Sequence, residues 1–444
     1  MTVLGLNWKI KDLSVRPGFV AVASRVLNAV FGIVTILFIT YKFSSKMQGY
    51  YYTFNSVIQL QVFFDAGIAF VLTQTASRYI GKYKDLTDNG ILVSDISISA
   101  LFYSALRFYS ISALLFFISV TVGGYFFFQF HDDGRTVWKV AWIIVSFATS
   151  LNLLSLPFTA LAEGLGMVLS VARLRLLQAL LIPLVLWVAL LSGYGLLSMG
   201  FASLSMFAVS LVWIYKNRLV FLNYSVIFRS RRVRLDEEND IRSFQWKTSV
   251  SWLSGYFVYQ IYNPILFSTI GPEDAGKVGL IMSIVISISF LISAYINTKI
   301  PKLGALAAGK MQSEYEFLRL QIIKNTLILS LVLYISFVVV VYIVEKTQMP
   351  LSHRLIPIYS VILSAIWGFL NVIYNLRMTF MRSFGKDSVF HIIFTLFLTC
   401  GLFSIPAAQY FGVNGLLSIY VVTMFLLNYI IRNQERKTDH WKQI

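Results

Sequence analysis

Two ionisable residues interrupt long apolar stretches of this sequence: Arg25, inside residues 18–40, and Asp65, inside residues 51–74. A charge in hydrocarbon costs about 3 kcal/mol or more unless it meets water or a partner, so such residues mark cavities, ion paths or buried pairs. Arginine carries a permanent charge and a planar fork of donors that fits phosphate and carboxylate groups. A carboxylate takes up and releases protons. With a helical rise of about 1.5 Å per residue, Arg25 sits about 10 Å and Asp65 about 13 Å from the same membrane face. The two are expected at similar depth on consecutive helices, facing one cavity and pairing across it. The competing uses are a structural ion pair, or an Arg25 side chain reaching back to the interface. A cavity lined by arginine with polar and aromatic groups suits an anionic headgroup. An exporter of organic cations needs deep carboxylates, and Asp65 is one.

Polar residues at helical spacing surround these two. Ala21, Arg25, Asn28, Gly32 and Thr35 recur every three or four positions and form a small, polar stripe. Gln61, Asp65 and Ala69 share one face of the next helix, and Asn55 and Gln59 share another. Later in the chain come Tyr256, Tyr259, Gln260, Tyr262 and Asn263, then Asn371, Tyr374, Asn375 and Arg377. Side-chain amides bond sugar hydroxyls and tyrosine rings stack on sugar faces; the same groups also serve as packing contacts and interfacial anchors. The expected substrate-binding set is Arg25, Asn28, Gln59, Gln61, Asp65, Tyr259, Asn371 and Asn375. Asp65 and Glu163 are the ion-coupling candidates, Glu163 having helix capping as its other use. Four scattered histidines suggest no metal site, and no cofactor is expected. The chain has no G-x-x-x-x-G-K-[ST] loop for ATP, and no nucleophile stands near a base, so an enzyme is not expected. Asp132-Asp133 reads as a solvated turn.

The elements that must hold these residues follow from composition. Of 444 residues, 57% are hydrophobic and 13% charged, too few polar groups to coat a water-soluble globule. Stretches of about 20 apolar residues predict twelve membrane helices, near 18–40, 51–74, 108–129, 137–160, 176–192, 196–215, 248–270, 278–298, 325–344, 355–376, 389–408 and 415–431. Ile91–Arg107 is expected to extend the third helix, and Gly193-Tyr194-Gly195 to turn the fifth into the sixth. Of the 37 Lys and Arg, 29 fall on one side of this arrangement and 7 on the other, which predicts cytoplasmic termini. The bias explains the net charge of +17 and makes Arg229-Ser230-Arg231-Arg232-Val233-Arg234 a topology signal touching anionic lipid rather than nucleic acid. The single cysteine, Cys400, is expected as a buried thiol. The fold class is thus an all-α membrane protein of about twelve transmembrane helices. Two six-helix lobes, 1–215 and 248–444, flank a central cavity, with a basic cytoplasmic linker at 216–247. Faint internal similarity between residues 49–56 and 276–283 agrees with paired lobes.

At the second span a family pattern emerges. Gly49-Tyr50-Tyr51-Tyr52-Thr53-Phe54, followed by Leu60-Gln61-Val62-Phe63-Phe64-Asp65-Ala66-Gly67 and Thr73-Gln74-Thr75-Ala76-Ser77, resembles the second-helix signature of Wzx O-antigen flippases. Ser24-Arg25 matches an arginine customary in that family. The resemblance implies the multidrug/oligosaccharidyl-lipid/polysaccharide exporter fold in a bacterial inner membrane. The implied cargo is one oligosaccharide repeat on undecaprenyl diphosphate, moved by alternating access at the expense of an H+ or Na+ gradient. Polysaccharide polymerase and chain-length regulator would be its partners. Arg25 would bind the diphosphate or a sugar acid, and Asp65 would tune Arg25 or respond to the coupling ion. A drug/ion antiporter of the same fold, a membrane polysaccharide polymerase and a membrane scaffold are the alternatives.

Overall fold

The computed structural model describes residues 17–82, 87–88, 91–132, 134, 136–230, 253–349, 351–383 and 390–437. Helices dominate. In chain order they are α1 (Pro17–Lys42), α2 (Ser45–Ile58), α3 (Gln61–Asp65), α4 (Ile68–Lys82), α5 (Val93–Phe130), α6 (Lys139–Gly164), α7 (Val168–Leu191), α8 (Leu197–Lys216), α9 (Arg218–Ser230), α10 (253–259), α11 (Tyr262–Thr269), α12 (Pro272–Ala308), α13 (Gln312–Lys346), α14 (Ile358–Ser383) and α15 (Phe390–Lys437). Two-residue strands at Thr87–Asp88 and Ile91–Leu92 pair antiparallel ahead of α5.

The protein is a multi-pass helical membrane protein. Among the described residues, eight helices are long and apolar enough to cross a membrane, and nine if the bent run from Ser45 to Ile80 is one span. Several predicted spans match single helices, and α5 carries the predicted extension from Val93 onward. Others depart from the expectation. The last two predicted spans lie in one assigned helix, α15, which breaks at Gly412 (φ 61°, ψ −148°). The predicted seventh span is interrupted at Gln260 and Ile261, and its first residues lie outside the described part. The expected linker after α8 is helical at its start, because only Asn217 separates Lys216 from α9; 231–252 lie outside the described residues.

The second predicted span is not one straight helix. Gln59 caps α2, and Ala66 (φ 46°) and Gly67 (φ 68°) turn left-handed after α3. The two arms meet at 40°. A polar backbone break at membrane depth must be covered by protein, since lipid offers no hydrogen bonds. Here α3 packs against α5 and α6.

Packing sorts the helices. In the first half, α5 lies against α6, α6 against α8 and α4, α7 against α8 and α1, and α9 against α5. In the second, α12, α13 and α14 pack together, and α15 lies on α14 and α11. The halves meet chiefly where α2 crosses α12, with α1 on α12 and α2 on α11 beside it. Cys400 is buried and free, as expected.

Candidate functional site

The break between α3 and α4 positions Asp65. Its carboxylate accepts a hydrogen bond from the Tyr109 hydroxyl of α5 and faces the backbone N–H groups of Gly67 and Ala69. Those N–H groups stand at the start of α4, where an acidic side chain meets free donors and the positive end of the helix dipole. Asp65 therefore closes the broken helix and ties it to α5, where Tyr109 is fully buried. The break also corrects the helical-face reading. Gln61, Asp65 and Ala69 do not line one continuous face, because Ala66 and Gly67 reset the direction between the last two. Arg25 lies in α1, but its side chain is outside the described part.

The stripe on α1 divides. Gly32 faces Ser287 of α12 at 3.7 Å from its would-be Cβ, while Thr35 accepts from Trp187 Nε1 of α7 at 2.9 Å. Asn28, one turn earlier, is exposed. Gln59 and Gln61 are half-buried on either side of the α2–α3 break.

In the second half, three residues foreseen separately come together. Tyr259 donates to Asn371 Oδ1 at 2.6 Å, and Asn375 Nδ2 donates to the same oxygen at 3.2 Å and to the Asn371 carbonyl at 2.9 Å. Trp367 lies edge-on to Tyr259, with ring centres 6.0 Å apart, and Tyr420 bonds the Phe257 carbonyl beneath. Tyr259 ends α10 just before the interruption at Gln260 and Ile261 that precedes α11. The cluster thus presents amides and an aromatic ring at the break in one helix, as Asp65 does in the other half. Phe63 of α3 packs on Tyr256 and Phe257, so the two breaks adjoin.

Between these breaks and the far end of α2 runs a seam between the halves. Gln48 Nε2 donates to the Gly276 carbonyl at 2.9 Å. A Cβ on Gly49 would stand 1.8 Å from the Pro272 carbonyl oxygen, and one on Gly276 would stand 2.7 Å from Gly49 N. Small residues let membrane helices touch backbone to backbone, and here they do so across the two segments that look like repeats in sequence. Asn263 donates to Ser56 at 3.4 Å, both buried. Among the described residues, Gln48 Oε1 and Asn263 Oδ1 are buried without a partner. A closed seam that leaves acceptors unsatisfied loses about 1–3 kcal/mol at each; opening it to water would recover that. Sequence reading passed over Gln48 and Ser56, because both look like ordinary residues of an amphipathic helix start.

Two other residues have contacts of their own. Glu163 Oε1 pairs with Arg175 at 2.7 Å, with Arg175 60% exposed, and the pair links α6 to α7. Arg377 bonds Glu435 at 2.6 Å, joining α14 to α15. A cavity of about 300 Å³ between α13 and α14 is lined by apolar groups, and its one hydroxyl, on Tyr334, is committed to Ser289 at 2.7 Å. It offers nothing to a sugar or phosphate. Among the described residues no cluster of His, Cys, Asp or Glu could hold a metal.

The chain shares the MATE transporter fold. An inward-facing multidrug resistance MATE family transporter of the MOP superfamily superposes with a TM-score of 0.67 at 13% identity, over 95% of this chain and 99% of that one. An outward-facing MATE family transporter gives 0.54 at 13%, over 96% and 95%. A MOP superfamily transporter from Pyrococcus furiosus, whose binding pocket has reversed polarity, gives 0.56 at 12%, over 95% and 94%. No family model and no curated protein matches the chain. The MATE fold accounts for what the contacts display: two helix groups that meet along α2 and α12.

Proposed function

We propose that this protein is a flippase for an undecaprenyl-diphosphate-linked oligosaccharide in a bacterial inner membrane. In this reading twelve spans form two six-helix lobes, 1–215 and 248–444, around a central cavity, with 216–247 and both termini in the cytoplasm. Access alternates between the two membrane faces, and an H+ or Na+ gradient drives it. The observation that carries the reading is the segment from Gly49 to Gly67. Its glycine-tyrosine start forms the seam, and its Asp-Ala-Gly end forms the Asp65 break. The motif that resembles Wzx flippases thus coincides with the two features a gated carrier needs. Arg25 takes the diphosphate, Tyr259, Asn371 and Asn375 take sugar hydroxyls, and Asp65 couples the ion. The lipid tail stays in the bilayer.

A drug/ion antiporter of the same fold is the second reading, favoured by the multidrug MATE neighbours and by the single deep carboxylate Asp65. A deletion strain separates the two. Complemented with wild type, R25A or D65N, it is assayed for surface polysaccharide and for the leaflet holding lipid-linked repeats. Single repeats trapped on the cytoplasmic face, rescued by wild type alone, support the flippase. Repeats that reach the outer face unpolymerised mark a polymerase instead. Normal glycan leaves the antiporter.

A further inference from the structure

The chain leaves α8 through one residue, Asn217 (φ −101°, ψ 13°), and starts α9 at once. At 13 residues, α9 is about 20 Å long, too short to cross a bilayer. One side is fixed to the protein. Phe221 is buried, with its ring 5.1 Å from Phe158, 6.0 Å from Trp213 and 6.1 Å from Phe102. The other side presents apolar groups that are partly exposed: Leu219 is 61% exposed and Leu222 52%. They follow in the chain on Leu211, Val212 and Tyr215 in the last turns of α8, all exposed as well. Arg218 stacks on Tyr215, 4.3 Å from the ring centre, and donates to its carbonyl at 3.2 Å. An exposed arginine thus lies where the chain passes from α8 to α9. The sequence continues with Arg229, Arg231, Arg232 and Arg234.

A helix of this length with one face locked into protein, apolar groups on the other and basic residues at its ends fits the boundary between headgroups and acyl chains. Charge selects an anionic leaflet. We propose that α9 is an interfacial helix that seats Leu219 and Leu222 among the lipids of an anionic membrane surface. It thereby holds the near end of α5 at a fixed depth. The exposed apolar residues of α8, a helix long and apolar enough to cross a membrane, lead directly into these leucines and favour lipid over a second protein. The inference holds whatever the cargo is.

The test uses the full chain with Cys400→Ala, carrying one cysteine at Leu222 and, in a second protein, at Leu219. Each is labelled with bimane and reconstituted in nanodiscs of phosphatidylcholine with or without phosphatidylglycerol. A label at Lys310, in the exposed turn between α12 and α13, is the water-facing reference. The expected result is quenching by lipids brominated near the carbonyl end and several-fold protection from aqueous iodide relative to Lys310, both stronger with phosphatidylglycerol. Replacing Arg218, Arg229 and Arg231 by glutamine should remove the phosphatidylglycerol increment while bromine quenching persists. A label open to iodide and silent to bromolipid at both positions overturns the proposal, as does protection that vanishes on dilution in detergent, the mark of a covering protein. Equal protection with and without phosphatidylglycerol overturns the anionic preference. Monodisperse elution of both labelled proteins guards against a misfolded variant.

Discussion

At the residue scale, the contacts of Asp65 and the coupling role proposed for it make demands that the same atoms cannot easily share. In the fold it accepts from Tyr109 and faces the start of α4; the proposed ion-coupling group must change charge. Asp65→Asn separates them. Asparagine keeps an oxygen for Tyr109 and for the backbone, so thermal stability in detergent should fall by no more than about 1 kcal/mol. Transport should disappear if the charge matters, and full transport would remove Asp65 from the coupling role. Tyr109→Phe does the opposite. It deletes one buried bond, at about 1–2 kcal/mol, while leaving the carboxylate, so a lowered melting temperature with residual transport is expected. The acidic residue was legible because nothing else in its span is charged. Tyr109 was not, since a tyrosine in an apolar helix reads equally as an anchor. Tyr259, Asn371 and Asn375 were each legible by type, but their meeting on one oxygen depends on how α10 and α14 pack.

At the element scale, the informative events are breaks and close approaches. Gly67 was visible in the sequence, yet an Ala-Gly pair inside an apolar run does not announce a 40° bend; the bend follows from Asp65 satisfying the new helix start. The seam was half legible. Similar segments at 49–56 and 276–283 hinted at paired lobes, but only packing makes Gly49 and Gly276 face each other. Gly49→Val places carbon where the Pro272 carbonyl stands, an overpacking of roughly 1–3 kcal/mol, and should hold α2 and α12 apart. A cysteine at Ser56, buried at 2%, reports this. In a Cys400→Ala background it should resist a membrane-impermeant maleimide while Gly49 is present, and react once the Gly49→Val change is added. Unchanged protection would mean that the seam does not govern access. Gly412 tests a different element. Its backbone angles are open essentially to glycine alone, so Gly412→Ala should cost roughly 1–3 kcal/mol. Differential scanning fluorimetry would read this as a lower melting temperature, and an unshifted melt would place the kink elsewhere.

At the scale of the whole molecule, composition settled the medium and charge asymmetry predicted the orientation, but neither could say which way the halves lean. The contacts do. The tightest backbone approaches between the halves fall where α2 and α12 begin, with Gly49 against Pro272 and Gly276. Arg107 on α5 and Lys324 on α13 are exposed some distance further along their helices. A carrier that alternates must exchange this closed end for the other. Spin labels make the exchange visible as two opposed distances. One pair, at Tyr41 and Glu273, spans the closed end, where both residues are exposed. The second, at Arg107 and Lys324, spans the opposite end. Double electron–electron resonance in nanodiscs should give a short distance at the first pair in the resting state. Adding cargo, sodium or acid should populate a longer distance there in the same proportion as a shorter one appears at the second pair. A ligand shifts such a balance only by its difference in affinity for the two states, so the ion or cargo that moves both distances together is the one the protein couples to. One fixed distance at both pairs under every condition would leave the MATE fold without the movement, and the scaffold alternative would then take precedence over transport.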